Sequence, residues 1–327
     1  MKIIFLGTPE FSMPSLEAIY NSKHNLVAIV SQPDRIQDRG RKIVFSPVKT
    51  FALENNIPIF QFDKISRDGV EIIKNLEPDL MVTASFGQIL SQEIIDVPTH
   101  GIINVHASIL PNYRGASPIQ TAIINGDKVT GVTIMQTEAG LDTGDIIKTG
   151  QIEIKDDETT GELSQRLAIL GSQLLMEVIS EIDSETVVKT PQPHIEAQVT
   201  KRISKEEGRI VWAQSAKEIK CKILGFNPSP IAFTCLNNQV VKIYRARVAT
   251  EIDETKKPEG TILECSSPKA GVYVQCGTGV LELLEVQFPN QKVIRAKDAI
   301  NGRKFKVGDK FSYTTEMDIK EPQILKK

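Results

Sequence analysis

Ile102-Ile-Asn104-Val-His106-Ala-Ser-Ile-Leu-Pro111-Asn-Tyr-Arg-Gly115 begins as an apolar run and ends as a turn. Ile102–Val105 reads as a strand of the nearly continuous apolar kind that parallel sheets bury on both faces. Asn104 and His106 are two positions apart, so on a strand their side chains share a face. An open doubly wound sheet binds its ligands beyond the carboxyl ends of its strands, and this pair falls at such an end. Further on, Gly140-Leu-Asp142-Thr-Gly144-Asp145 sets a carboxylate between two glycines. A neutral amide donor, an imidazole and a carboxylate are the groups needed to work on one carbonyl carbon. Each also has a plainer reading. A histidine at a strand end is more often structural, and Asp142 could be a turn residue only. Asp145 shares that reading and is the weaker candidate.

The chain around this block alternates apolar runs with helical patterns, the signal for parallel α/β units. Ile3–Leu6, Leu26–Val30, Ile57–Phe60 and Leu80–Ala84 are the other strand candidates of residues 1–150. Ser46-Pro47 and Ser117-Pro118 each place an N-cap serine before a proline at the first helical position. Gln120, three residues after Ser117, adds a capping box, and Thr159-Thr-Gly-Glu162 opens a longer amphipathic helix to about Ile182. Val187–Gly208, with Pro191-Gln-Pro193, reads as a linker. Ser215-Ala-Lys-Glu218 is a further capping box, whose helix should stop at Asn227-Pro-Ser-Pro230. Five short β-branched runs follow: Ile231–Leu236, Val240–Ala246, Gly260–Glu264, Val272–Gln275 and Val280–Val286. They predict a small OB-like barrel. The expected architecture is an open, doubly wound Rossmann-like domain over residues 1–186, a linker over 187–208, and a β-barrel domain over 209–327.

Composition narrows the function classes. At 327 residues, two domains are the better expectation. No apolar run approaches a membrane span, and Met1–Gly7 is too short for a secretory signal. The four cysteines form no C-x-x-C pair and no zinc spacing, which predicts reduced thiols in a cytoplasmic protein without a metal. No G-x-G-x-x-G follows the first strand and no P-loop occurs, so neither a dinucleotide nor a nucleoside triphosphate site is supported. His24, His100 and His194 read as polar surface or loop residues. Net charge is −2, but the residues from 206 onward carry 20 Lys+Arg against 15 Asp+Glu. A basic end on an acidic body suits a polyanion. Gln32-Pro-Asp-Arg35-Ile-Gln-Asp-Arg39-Gly-Arg41-Lys42 is a basic loop beyond the second strand, with four cations in eight residues suited to phosphate.

Several of these segments together are the signature of a family. Phe5–Phe11, Gln32–Arg35, Asn104–Gly115, Ala116–Gln120, Gly131–Gln136, Leu141–Asp145, Ile203–Glu206 and Phe226–Pro230 resemble the folate-dependent formyltransferases along essentially the whole chain. The flanking pieces and the barrel resemble the members that act on tRNA. That resemblance implies transfer of a formyl group from 10-formyltetrahydrofolate to the α-amine of methionine on initiator tRNA, by a monomer. It implies that Asn104, His106 and Asp142 are the catalytic trio. Ser108, Ile109, Leu110 and Pro111 would hold the folate, aided by Phe86, Gly87, Gln88, Ile89 and Leu90. Arg39, with Arg41 and Lys42, would enter the acceptor end of the tRNA, and the barrel would grip the acceptor arm. Departures from the family pattern are Ala107 for a glycine, Ile109 for a leucine, Phe86 for a tyrosine, Ser229 for a tryptophan, and Ile36-Gln-Asp38 for a Pro-Ala-Gly-like stretch. Three rivals share part of this reading: a formyltransferase for a sugar-nucleotide amine, a hydrolase releasing formate, and a non-catalytic tRNA-binding protein.

Overall fold

Ile3, Ile4, Phe5 and Leu6 are fully buried, and together they make the strand at the centre of the parallel part of the first sheet. The structure is a computed structural model that describes residues 1–37, 42–264 and 271–312. Its chain separates into two units. One comprises Met1–Pro118, Val129–Glu153 and Glu162–Lys201, and the other the remaining segments from Ile119 onward.

The strands of the first unit are β1 (Lys2–Gly7), β2 (Asn25–Ser31), β3 (Arg35–Gln37), β4 (Lys42–Val44), β5 (Ile59–Gln61), β6 (Leu80–Ala84), β7 (Ile102–His106), β8 (Arg114–Gly115), β9 (Val129–Gln136), β10 (Ile146–Glu153) and β11 (Val199–Thr200). Seven of them form one sheet in the order β10-β9-β7-β6-β1-β2-β5. The run from β7 to β5 is parallel, and β9 and β10 continue it antiparallel. Four of the five predicted strands fall within a residue of those observed, while the run expected at Ile57 begins at Ile59. The antiparallel pair β9–β10 was not among the expectations.

Both faces of the sheet are covered. Ile4, Leu6, Ala28, Val30, Met81 and Ile102 pack with Ile65, Ile73, Ile94 and Ile95 from the short helices on one side. The predicted long helix is Thr160–Asp183, and it covers the other face, where Gly171 lies against Val105 and Val132. Ile102, Asn104 and His106 therefore share the face opposite Val105. Chain order reverses beside β1, because β2 and β5 extend one way before the chain returns to β6. The carboxyl ends of β1 and β6 flank that switch point, where Ser12 Oγ donates to the Ala84 carbonyl at 2.6 Å.

The second unit carries β12 (Ala232–Leu236), β13 (Gln239–Ala249), β14 (Ile262–Glu264), β15 (Val272–Gln275), β16 (Val280–Gln287) and β17 (Ile294–Arg295). Its sheet runs β12-β13-β16-β15-β14 and curls until Lys310–Ser312 spans the gap. Lys310 bridges Thr261 beside β14, and Ser312 bridges Cys235 on β12. Trp212 stacks on Phe311 at 5.2 Å and donates to Thr234 Oγ1 at 2.9 Å. The helix Ala216–Gly225 is capped as its sequence predicts. Ser215 Oγ accepts from Glu218 N at 3.2 Å, and the Glu218 carboxylate accepts from Ser215 N at 2.9 Å. The Ser215 hydroxyl, and then its backbone N–H, hold the Glu218 carboxyl below its ordinary value. Ser215→Ala should cost the second unit about 1 kcal/mol. Chemical denaturation followed by fluorescence of Trp212, the single tryptophan, would read that loss.

Three cysteines among the described residues are free thiols, and burial pushes that of Cys276 up to about 12. Cys265 lies outside the described residues. His24, expected on the surface or in a loop, is buried at a bend, where Nδ1 lies 3.3 Å from the N-terminal nitrogen. Burial, then the charge of that ammonium, lowers its pKa. Among the described residues no helix is long and apolar enough to cross a membrane.

Candidate active site

Parallel pairing sets Asn104 beside Thr83, and the Thr83 hydroxyl donates to Asn104 Oδ1 at 2.8 Å. A hydroxyl donor on the amide oxygen fixes which end of the amide is which, so the NH₂ group is the one turned toward Asp142. Asn104 Nδ2 lies 3.5 Å from Asp142 Oδ1. His106 ends β7 and is only 5% exposed. Its Nε2 lies 3.0 Å from the Tyr113 carbonyl, which can only accept, so that nitrogen carries a proton. The other ring nitrogen, Nδ1, faces Asp142 Oδ2 at 3.6 Å. The structure thus brings the amide, the imidazole and the carboxylate into one cluster. It turns both nitrogens of His106 toward protein groups and leaves the Asn104 NH₂ as the less committed donor.

Asp142 sits at a φ of +51°, a left-handed conformation that aspartate tolerates better than most residues. Its Oδ2 accepts from Gly115 N at 2.7 Å. Gly115 itself has a φ of +100°, and a Cβ there would meet the Thr200 carbonyl at 2.5 Å. The close approach comes from β8 pairing with β11, Arg114 opposite Val199 and Gly115 opposite Thr200. Only glycine lets this strand carry an N–H to the carboxylate at that spacing.

The segment after His106 is pinned from β9. Thr133 Oγ1 donates to the Ser108 carbonyl at 2.8 Å and accepts from Leu110 N at 3.1 Å. Ser108 Oγ donates to the Asn112 carbonyl at 2.6 Å. Leu110 is buried, whereas Ile109 and Pro111 are partly exposed. Phe86–Leu90 is held in a similar way. Gln32 Nε2 donates to the Phe86 carbonyl at 3.0 Å, and Ser66 Oγ to the Ile89 carbonyl at 2.8 Å. The Gln88 side chain turns inward, accepting from Ile65 N and donating to the Phe62 carbonyl, each at 2.8 Å. Phe86 and Leu90 are buried, Gly87 takes a positive φ, and the Ile89 side chain stands 85% exposed. Of the five residues predicted here, Ile89 is the one whose side chain reaches outward.

Beyond β2 the predicted basic loop includes a two-stranded ladder, β3 against β4, with Arg35 opposite Val44 and Gln37 opposite Lys42. Arg39 and Arg41 lie outside the described residues, and of Lys42 only the strand is described. The foot of this hairpin is firmly tied. Asp34 bonds both Lys49 and Gln61, and Gln61 Nε2 donates to the Gln32 carbonyl at 2.8 Å. Gln61, then Lys49, hold the Asp34 carboxyl below its ordinary value.

Two residues of the cluster were not expected. Gln192, in the segment read as a linker, is 4% exposed and bonds the loop that carries Asp142, while Arg114 bonds Gln192 in turn. Arg114 stood within the quoted block with no role assigned. The only sequence signal for Gln192 is its place between Pro191 and Pro193.

Residues 1–179 match the family described as formyl transferase, and residues 202–304 match the formyl transferase C-terminal domain. The chain belongs to the formyl transferase family. Curated relatives include the methionyl-tRNA formyltransferase of Acetivibrio thermocellus, 44% identical over 94% of this chain and 99% of that protein. The methionyl-tRNA formyltransferase of a Sulfurihydrogenibium species is 42% identical over 95% of this chain and 100% of that one. Among solved structures, the N-formyltransferase of Helicobacter canadensis, complexed with folinic acid and dTDP-3-aminofucose, superposes with a TM-score of 0.67. It is 21% identical and covers 86% of this chain and 98% of its own. At that identity the likeness shows a formyl transferase fold: a Rossmann-like mixed sheet followed by a curled antiparallel one.

Proposed function

We propose that this chain transfers the formyl group of 10-formyltetrahydrofolate to the α-amine of methionyl initiator tRNA, as a monomeric cytoplasmic enzyme. The observation that carries the chemistry is the convergence of Asn104, His106 and Asp142 at the carboxyl edge of the parallel strands. The acceptor is read from relatives that match this chain over nearly its whole length. Residues 1–186 would hold the chemistry and 209–327 would bind tRNA, with 187–208 between them. The excess of cations from residue 206 onward supports that division.

The donor set fits a folate. Ile89 offers an apolar side chain on a backbone that Gln32 and Ser66 hold from behind, and Thr133 fixes the Ser108–Leu110 segment beside His106. When bound, the folate supplies an activated formyl group. Asn104 Nδ2 donates to the formyl oxygen as negative charge gathers on it, a role that needs a donor already aimed. Thr83 supplies the aim. His106 would take at Nδ1 the proton that the attacking amine gives up. It would return that proton to the departing folate nitrogen as the bond between that nitrogen and the formyl carbon breaks, with the Asp142 carboxylate pairing with the imidazole while it is charged. No metal is needed for these steps.

The test is formation of acid-stable formyl-methionine from 10-formyltetrahydrofolate and charged initiator tRNA. Product from tRNA would support the reading; product only from an amino sugar nucleotide, or only free formate, would overturn it. Arg39→Ala should raise KM for tRNA, leave kcat nearly unchanged, and reduce the salt slope of tRNA binding by about one, as for loss of a single phosphate contact. An unchanged slope would remove Arg39 from the tRNA interface.

A further inference from the structure

We infer that Gln192 is a positioning residue that sets the catalytic carboxylate of Asp142, an inference that rests on the function proposed above. The Gln192 side-chain amide is completely committed. Its Oε1 accepts from Arg114 Nε at 3.0 Å and from Arg114 Nη2 at 2.6 Å. Its Nε2 donates to the Asp142 carbonyl at 3.0 Å and to the Gly144 carbonyl at 2.6 Å. A guanidinium can only donate and a carbonyl can only accept, so the amide has one allowed orientation. Gln192 and Arg114 are both almost fully buried, where an unmet polar group is costly and a met one is rigid.

The connections close on themselves. Asp142 is tied through its backbone carbonyl to Gln192, through Gln192 to Arg114, and through its own carboxylate to the N–H of Gly115, the next residue along. Thr200 Oγ1 donates to the Arg114 carbonyl at 3.0 Å and accepts from Ser117 N at 3.1 Å, which anchors the far side. Asp142 is thereby held at its positive φ from two directions, with its carboxylate opposite His106 Nδ1. Gly140 and Gly144 leave the loop little intrinsic stiffness, so its placement must come from outside the loop. The Gln192 side chain bonds Arg114 and the carbonyls of Asp142 and Gly144, not His106 or Asn104, so its effect on the chemistry passes through Asp142.

Two variants separate the parts of this device. Gln192→Met keeps the volume and removes every hydrogen bond. Gln192→Glu keeps an acceptor for Arg114 but sets carboxylate oxygens against two carbonyls. Both should lower kcat for formyl transfer by about 100-fold, the scale of a 1 Å misplacement, with KM for folate and tRNA within about threefold of the parent. Each change should then be repeated in an Asp142→Asn background. A residue that acts through the Asp142 carboxylate should cost about tenfold less there than in the parent, whereas a general prop of the fold should cost the same in both. An equal loss in both backgrounds, or kcat unchanged in Gln192→Glu, would overturn the inference. Absence of formyl transfer in the parent protein would instead refute the proposed function. Folate binding at parental affinity identifies variants that have folded; if only Gln192→Glu folds, it carries the cycle alone.

Discussion

His106→Ala should lower kcat for formyl transfer by about 10²–10⁴, the range for removal of a positioned proton carrier. KM for tRNA should move little, because His106 is buried at the end of a strand and presents no phosphate-binding group. The change also removes the partner that faces Asp142 at 3.6 Å, so among the described residues the carboxylate would keep its bond from Gly115 N and its long contact with Asn104. Single-turnover formylation with pre-bound folate isolates the step at issue. Parental rates in that assay would exclude His106 from the chemistry, whatever the steady-state values.

Asn104→Ala should cost about 10²–10³ in kcat, as expected for loss of one preorganised donor to a developing oxyanion. Asn104→Asp should be at least as damaging. It exchanges an NH₂ donor for a second carboxylate oxygen close to Asp142, and like charges at that range oppose each other. The Thr83 hydroxyl also lies 3.4 Å from the Ile103 carbonyl, so it keeps an acceptor in both variants. Because aspartate keeps the size and shape of asparagine and removes the NH₂ group, its loss of activity distinguishes a donor from a packing residue. A more active aspartate variant would refute the donor role.

Local patterns were the legible part of this chain. β6 and β15 have the bounds their apolar runs predict, and the Ser215–Glu218 capping box is formed as its spacing implies. Signals of this kind are complete within a few residues. Val129–Gln136 and Ile146–Glu153 were harder, since the pair has no tight hairpin turn and β10 shows only half-exposed alternation. The cluster itself was read from Asn104 and His106 sharing a strand face, with Asp142 supplied by its glycine frame. Gln192 was invisible for a different reason. Its four bonds reach 48 to 78 residues back along the chain, and nothing in Pro-Gln-Pro announces such partners.

The arc that Lys310–Ser312 lays between Thr261 and Cys235 has a meaning for the fate of broken molecules. It occupies the outer rims of two strands at once, through Ser312 N to the Cys235 carbonyl and Ile262 N to the Asp309 carbonyl, each at 2.8 Å. A chain clipped just before it would offer two bare rims on one body, each able to accept a strand from a neighbour. The two rims border the one gap that these three residues fill, so a single cut exposes both together. Three residues thus stand between a covered sheet and one with two bare edges, so proteolytic damage at this point should register as aggregation before it registers as lost chemistry.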